Sequence, residues 1–189
     1  EDIEAILGGR GYHNGCWCQR FKLNGRDFYY KSISVAQRAN RLREQTQCGH
    51  AKAKKTCGLV AYLGGEPVGW CNVEPRSSYV RLGQTPWKGR EEDPRDESIW
   101  AVACFVVRQG CRHQRISYAL ARAAVDFARK RGARALEGYA MITAPGKDIT
   151  WGELHVGARG AYAAAGFKEV KRVSPRRVVM RVDFEITRP

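Results

Sequence analysis

The chain has 189 residues, of which 43% are hydrophobic and 28% charged, and carries a formal net charge of +14. These values exclude a disordered or fibrous chain and predict one domain with a core of its own. No apolar run approaches the roughly 18 residues that span a bilayer, and the opening EDIEAILGG lacks the basic-then-apolar order of a signal peptide, so a cytoplasmic protein without a membrane partner is expected.

The first 57 residues read weakly. A helix is expected over Ser34 to Gln47, capped by Ser34 and ended by Gly49. The seven cysteines are an odd number without a compact framework spacing, which predicts reduced thiols. Cys16-Trp17-Cys18, with His13, Cys48, His50 and Cys57 within reach, offers zinc-ligand chemistry but lacks the two-residue-gap pair of most structural zinc sites. Buried small side chains are the expectation there, and no metal is assigned.

Clearer pattern begins at Gly58. Two β-rich runs, Gly58 to Leu63 and Pro67 to Val73, flank Gly64-Gly65 and predict a hairpin. The proline-containing stretch from Glu74 to Glu97 predicts a surface loop. Ile99 to Val107 is a nearly continuous apolar run, as expected for a central strand buried on both faces. A polar loop then leads into an amphipathic helix, with Ile116, Ala119, Leu120, Ala123, Phe127 and Ala128 on its core face and Gly132 after its end. The strand Arg134 to Met141 completes a β-α-β unit with parallel strands. A Pro/Gly loop, a Gly/Ala-rich helical region ending at Gly166, and a basic hairpin of Lys168 to Val173 and Arg177 to Phe184 follow.

That order of elements over residues 58–184, with Arg112-x-x-x-x-Ser117 before the long helix and Tyr162-Ala-Ala-Ala-Gly-Phe167 after it, resembles the GNAT superfamily of N-acetyltransferases. The resemblance implies a single-domain α/β fold, a mixed sheet flanked by helices, spanning residues 1–189. It also implies acetyl-coenzyme A (acetyl-CoA) as co-substrate and a small-molecule or peptide amine as acceptor. The loop Arg112-His113-Gln114-Arg115-Ile116-Ser117 would bind the pyrophosphate through its amides, with Arg115 and Ser117 standing where the family pattern has small residues. Free amides and the dipole at a helix N-terminus favour an anion there. The pantetheine arm would lie along Phe105-Val106-Val107 and pair with their main chain. Tyr162 would protonate the departing thiolate, a task suited to a phenol that is protonated at neutral pH. The implied reaction is direct transfer in a ternary complex, the central strand supplying a main-chain donor to the developing oxyanion.

An ammonium has no lone pair, so the amine must lose a proton, and Glu74, Glu97 and Glu137 all stand as candidate bases. Cys104, in an apolar strand, is expected to be inert. The acidic run Glu91 to Glu97 is expected near the acceptor end, where it would favour a cationic amine. From a different class, the positive charge and the aromatic–cationic stretches Arg10-Gly11-Tyr12 and Phe28-Tyr29-Tyr30-Lys31 fit a nucleic-acid-binding module, or weak nucleic-acid binding by an acetyltransferase.

Overall fold

The computed structural model describes residues 1–8, 17–23, 33–50, 52–53, 55–83, 92–144, 146 and 149–185. The stretches Arg10-Gly11-Tyr12 and Phe28-Tyr29-Tyr30-Lys31, the would-be ligands His13 and Cys16, and Glu91 lie outside the described residues.

Two helices open the chain, α1 (Asp2–Leu7), which sequence reading did not resolve, and α2 (Val35–Thr46). Ser34 caps α2 through a reciprocal box: its hydroxyl accepts from the Gln37 amide at 3.2 Å, and the Gln37 side chain accepts from the Ser34 amide at 2.7 Å. The helix keeps the expected bounds from Ser34 to Gln47, but the left-handed residue that ends it is Gln47 (φ 51°) rather than Gly49. Strands β1 (Gly58–Leu63) and β2 (Glu66–Pro75) form the hairpin, with Gly64 and Gly65 both at positive φ, as a tight two-residue turn requires.

The stretch after Glu74 is not simply a surface loop. It contains a 3-10 turn at Arg76–Ser78 and α3 (Val80–Gly83), and it buries Arg76, Tyr79 and Leu82. Arg76 is tolerated inside because it meets the equally buried Glu137 at 3.0 Å, a pairing invisible to local pattern. Strand β3 (Ile99–Val107), helix α4 (Ile116–Lys130) and strand β4 (Ala135–Met141) follow the expected β-α-β order, then α5 (Trp151–Leu154), α6 (Arg159–Ala163), β5 (Lys168–Ser174) and β6 (Arg177–Asp183).

The six strands form one sheet in the order β1-β2-β3-β4-β6-β5. Only β3 and β4 are parallel, and the other neighbours are antiparallel. Helix α4 packs through Leu120, Ala121, Ala124, Val125 and Ala128. Ala119 and Ala123, expected on that face, are exposed, because in an alanine-rich helix hydropathy alone barely separates adjacent faces. Leu120 meets Val73, Val102 and Leu136 of the sheet in one core cluster, where each buried aliphatic side chain contributes about 1.5–3 kcal/mol. On the other face, α1, α2 and residues 17–18 cover Trp70, Cys104 and Val106.

Two irregularities shape the middle of the sheet. The β2–β3 register shifts between Asn72, opposite Cys104, and Val73, opposite Val102, so Ala103 is a bulge residue without a partner. The parallel β3–β4 pairing runs only from Ile99 with Ala135 to Val102 with Gly138. Beyond it the strands part, and residues 155–158 sit between them: the Phe105 amide donates to the His155 carbonyl at 2.7 Å and the Met141 amide to the Gly157 carbonyl at 2.8 Å.

Candidate active site

The loop from β3 into α4 keeps a left-handed conformation without glycine. His113 (φ 63°) and Arg115 (φ 59°) both adopt it, and for an L-residue this costs about 1–2 kcal/mol each. The Arg115 guanidinium lies 4.9 Å from the Tyr118 ring centroid, so the side chain is held against the helix surface. No side chain caps the start of α4; the Tyr118 amide bonds the Arg115 carbonyl at 2.9 Å, while the amides of Ile116 and Ser117 precede the first helical bonds.

A cavity of about 330 Å³ opens at this point. Phe105 and Val107 wall it on one side, and Arg112, His113, Arg115, Ile116 and Ser117 on the other. Residues predicted separately from a strand end and a loop therefore come together around one space. Gln114 is exposed in the same loop, outside the cavity wall, and Val106 pairs with Trp70 of β2 and buries its side chain beneath α1 and α2. The main chain of Phe105 already pairs with His155, so the edge expected to be open to the pantetheine arm is occupied there by the protein itself. The uncapped helix start and the guanidinium groups suit a pyrophosphate.

Tyr162 on α6 is fully buried, and its hydroxyl donates to the Val156 carbonyl at 2.8 Å. Its ring sits edge-on to Phe105 (5.6 Å) and Phe167 (5.1 Å) and lies so close to Gly138 that a methyl group there would overlap it. Burial pushes its pKa well above that of a free phenol. Tyr162 packs behind Phe105 and Gly157 rather than lining the cavity. Gly157 is needed there: its φ is +89°, and a β-carbon would come within 2.7 Å of Phe105.

A second cavity, of about 300 Å³, takes in Arg20, Phe21, Arg81, Tyr139, His155 and Arg177. Phe21, Leu82 and Tyr139 belong to the cluster on the sheet face away from α4, whereas the first cavity is walled by α4 itself. His155 borders both cavities. Its Nδ1 lies 2.8 Å from the Gly152 carbonyl, so the proton sits on Nδ1, and burial, reinforced by Arg20, pushes its pKa down to about 4. The ring is neutral at physiological pH.

None of the three candidate bases is placed for the task. Glu137 accepts from Arg76 at 3.0 Å, Arg181 at 3.1 Å and the Tyr139 hydroxyl at 2.8 Å, so it anchors Tyr139 at the cavity wall. Glu74 is paired with Lys22. Glu97 is exposed before the start of β3, and the six residue steps from Ile99 to Phe105 alone put it about 20 Å from the cavity end of the strand. Cys104 is buried on the face beneath α1 and α2, with Trp70. In the acidic run, Glu92 bonds Arg181 (2.8 Å), Asp93 lies against Arg95 (3.4 Å) and Asp96 bonds Arg134 (2.8 Å). Among the described residues of the run, no carboxylate walls either cavity. The second cavity had no signal in the sequence, because Arg20, Arg81, Tyr139, His155 and Arg177 come from five separated segments.

Residues 21–142 match the family model described as the acetyltransferase (GNAT) family. No curated protein sequence matches the chain. Among solved structures, a GCN5-related N-acetyltransferase from Kribbella flavida is similar in fold, with a TM-score of 0.56 at 16% identity over 97% of this chain and 94% of that one. An N-acetyltransferase from Staphylococcus aureus Mu50 gives 0.52 at 12% identity with the same coverage, and a ribosomal-protein-alanine N-acetyltransferase from Brucella melitensis gives 0.50 at 14% over 97% and 96%. The family match spans well over half the chain, and the sheet order with its parted central strands agrees with it: the protein belongs to the GNAT family of acetyltransferases.

Proposed function

We propose that residues 1–189 form a single N-acetyltransferase domain, with 58–184 as its core, that moves the acetyl group of acetyl-CoA to an amine by direct attack in a ternary complex. The observation that supports this reading is the pair of cavities that His155 borders on either side, on the segment seated where β3 and β4 part. An acyl donor and an amine acceptor brought from two sides to one gap gain the rate advantage of proximity without an acyl-enzyme.

When bound, acetyl-CoA supplies an acyl carbon activated as a thioester. Arg112, His113, Gln114, Arg115, Ile116 and Ser117 hold the pyrophosphate through main-chain amides and two guanidinium groups, while Phe105 and Val107, backed by Val106, flank the pantetheine arm. Tyr162 is the proton donor in this reading. Its burial keeps the phenol protonated, and delivery of the proton requires the hydroxyl to leave the Val156 carbonyl for the departing thiolate. No carboxylate walls either cavity among the described residues, so the amine loses its proton to water. The competing reading of a nucleic-acid-binding module gains no support from the fold or the family match.

Acetyl-CoA at about 100 times its dissociation constant stabilises the folded state by about 2.7 kcal/mol, a rise of roughly 5–10 °C in melting temperature for a chain of this size. A thermal scan across cofactor concentrations checks this, and an unmoved melting temperature at millimolar acetyl-CoA refutes the assignment.

A further inference from the structure

We infer that the second cavity, which the reading above makes the acceptor pocket, takes a small amine that also bears a carboxylate, an acceptor of the amino-acid type whose acid group is received by Arg20 and Arg177. Arg20 of the 17–23 segment and Arg177 of β6 line about 300 Å³, the Arg20 guanidinium also donating to the Gly152 carbonyl at 3.4 Å, and none of the described residues walling that space is an acid. Glu153, whose charge is felt by Arg177, is itself bonded to Arg176 at 2.9 Å and accepts from Thr150 at 3.0 Å.

The positive field is felt inside the pocket. Burial and then Arg20 push the pKa of Arg177 down, and Arg20 and Arg177 both act to lower that of His155. An acceptor carrying only an ammonium meets the like charges of Arg20 and Arg177 here, whereas a carboxylate gains charge-assisted hydrogen bonds. Phe21 and the Tyr139 ring, the latter fixed by its hydroxyl bond to Glu137, supply an apolar wall for a side chain. The volume is at the small end for ligand sites, which suits one amino acid rather than a long peptide.

The test is thiol release by the full chain at saturating acetyl-CoA with matched acceptors: phenylalanine against phenethylamine, leucine against 3-methylbutylamine, each amino acid against its amide, and an aminoalkyl phosphate as a separate anionic arm. The amino acids are expected to exceed their decarboxylated partners in kcat/KM by about 10-fold or more. Arg20→Gln and Arg177→Gln, checked for folding by thermal unfolding, are each expected to raise KM for the acid about 10-fold and narrow its advantage over the plain amine. KM for acetyl-CoA should stay within twofold.

Equal or better turnover of the plain amines overturns the inference, as does an equal effect of the variants on acids and plain amines. Preference for the phosphate over every carboxylate overturns the carboxylate assignment. If acetyl-CoA raises the melting temperature but no acid is acetylated, the inference fails while the cofactor assignment stands. If acetyl-CoA neither binds nor reacts, the acetyltransferase reading itself has failed.

Discussion

Tyr162→Phe removes one oxygen and leaves the ring in place against Phe105, Phe167 and Gly138. What disappears is the 2.8 Å bond to the Val156 carbonyl, and leaving a buried acceptor unsatisfied costs about 1–3 kcal/mol. At roughly 2–4 °C per kcal/mol for a domain of this length, the melting temperature should fall by about 2–12 °C. If the phenol also protonates the leaving thiolate, turnover falls by about 10²-fold with KM for acetyl-CoA little changed. Thermal unfolding and thiol release on the same preparation separate the two effects. A variant that melts a few degrees early yet turns over at the wild-type rate refutes the acid role and leaves Tyr162 as packing. A wild-type melting temperature refutes the energetic argument from the Val156 bond.

Gly138→Ala drives a methyl group into the Tyr162 ring and should cost about 1–3 kcal/mol, read as a lowered midpoint in urea unfolding; an unchanged midpoint would mean that the ring shifts freely. His155 has a folded pKa near 4, below its unfolded value of about 6.5, so the unfolded state binds more protons between those limits: the stabilisation is complete above pH 6.5 and is lost as pH falls towards 4. The loss is at most about 3 kcal/mol, and His155→Gln should flatten that part of the stability–pH curve, a parallel curve counting against the burial argument. At Arg115, the glycine variant should be more stable than the alanine variant by about 1 kcal/mol, because only glycine adopts φ 59° without strain. Both variants should weaken acetyl-CoA binding in calorimetric titration to the same degree, having lost the same charge; equal stability of the two would rule out the left-handed conformation.

What could be read from the sequence was whatever burial writes into a local period. Ile99 to Val107 and Ala135 to Met141 are apolar almost throughout because both faces of the central sheet are covered, and Gly64-Gly65 announces its own turn. The α4 face was misplaced where alanine made adjacent positions equivalent, so Ala119 and Ala123 were exchanged for Ala121 and Ala124. Arg76 looked like surface because its partner, Glu137, lies 61 residues away. The loop Arg112 to Ser117 was legible as a place, and its shape was not: the left-handed turn is imposed on Arg115 by the strand and helix it joins, without the glycine that would have signalled it. The arginines of the second cavity are scattered along the chain, and no spacing rule gathers them.

The surplus residue Ala103 puts the two halves of β3 out of phase. Val102 and Phe105, three positions apart, both belong to the core under α4, although an unbroken strand would turn them to opposite sides. Phe105 owes its place beside Tyr162 to the count of residues before it and not to their chemistry. Deleting one of the two residues between them would remove the surplus and leave Val102 and Phe105 two apart on an unbroken strand, so both would stay under α4. Substitutions can drift through this strand while the site survives, and the loss of one residue at the bulge keeps the facing, but a change of length by a single residue elsewhere in the strand exchanges its inside for its outside.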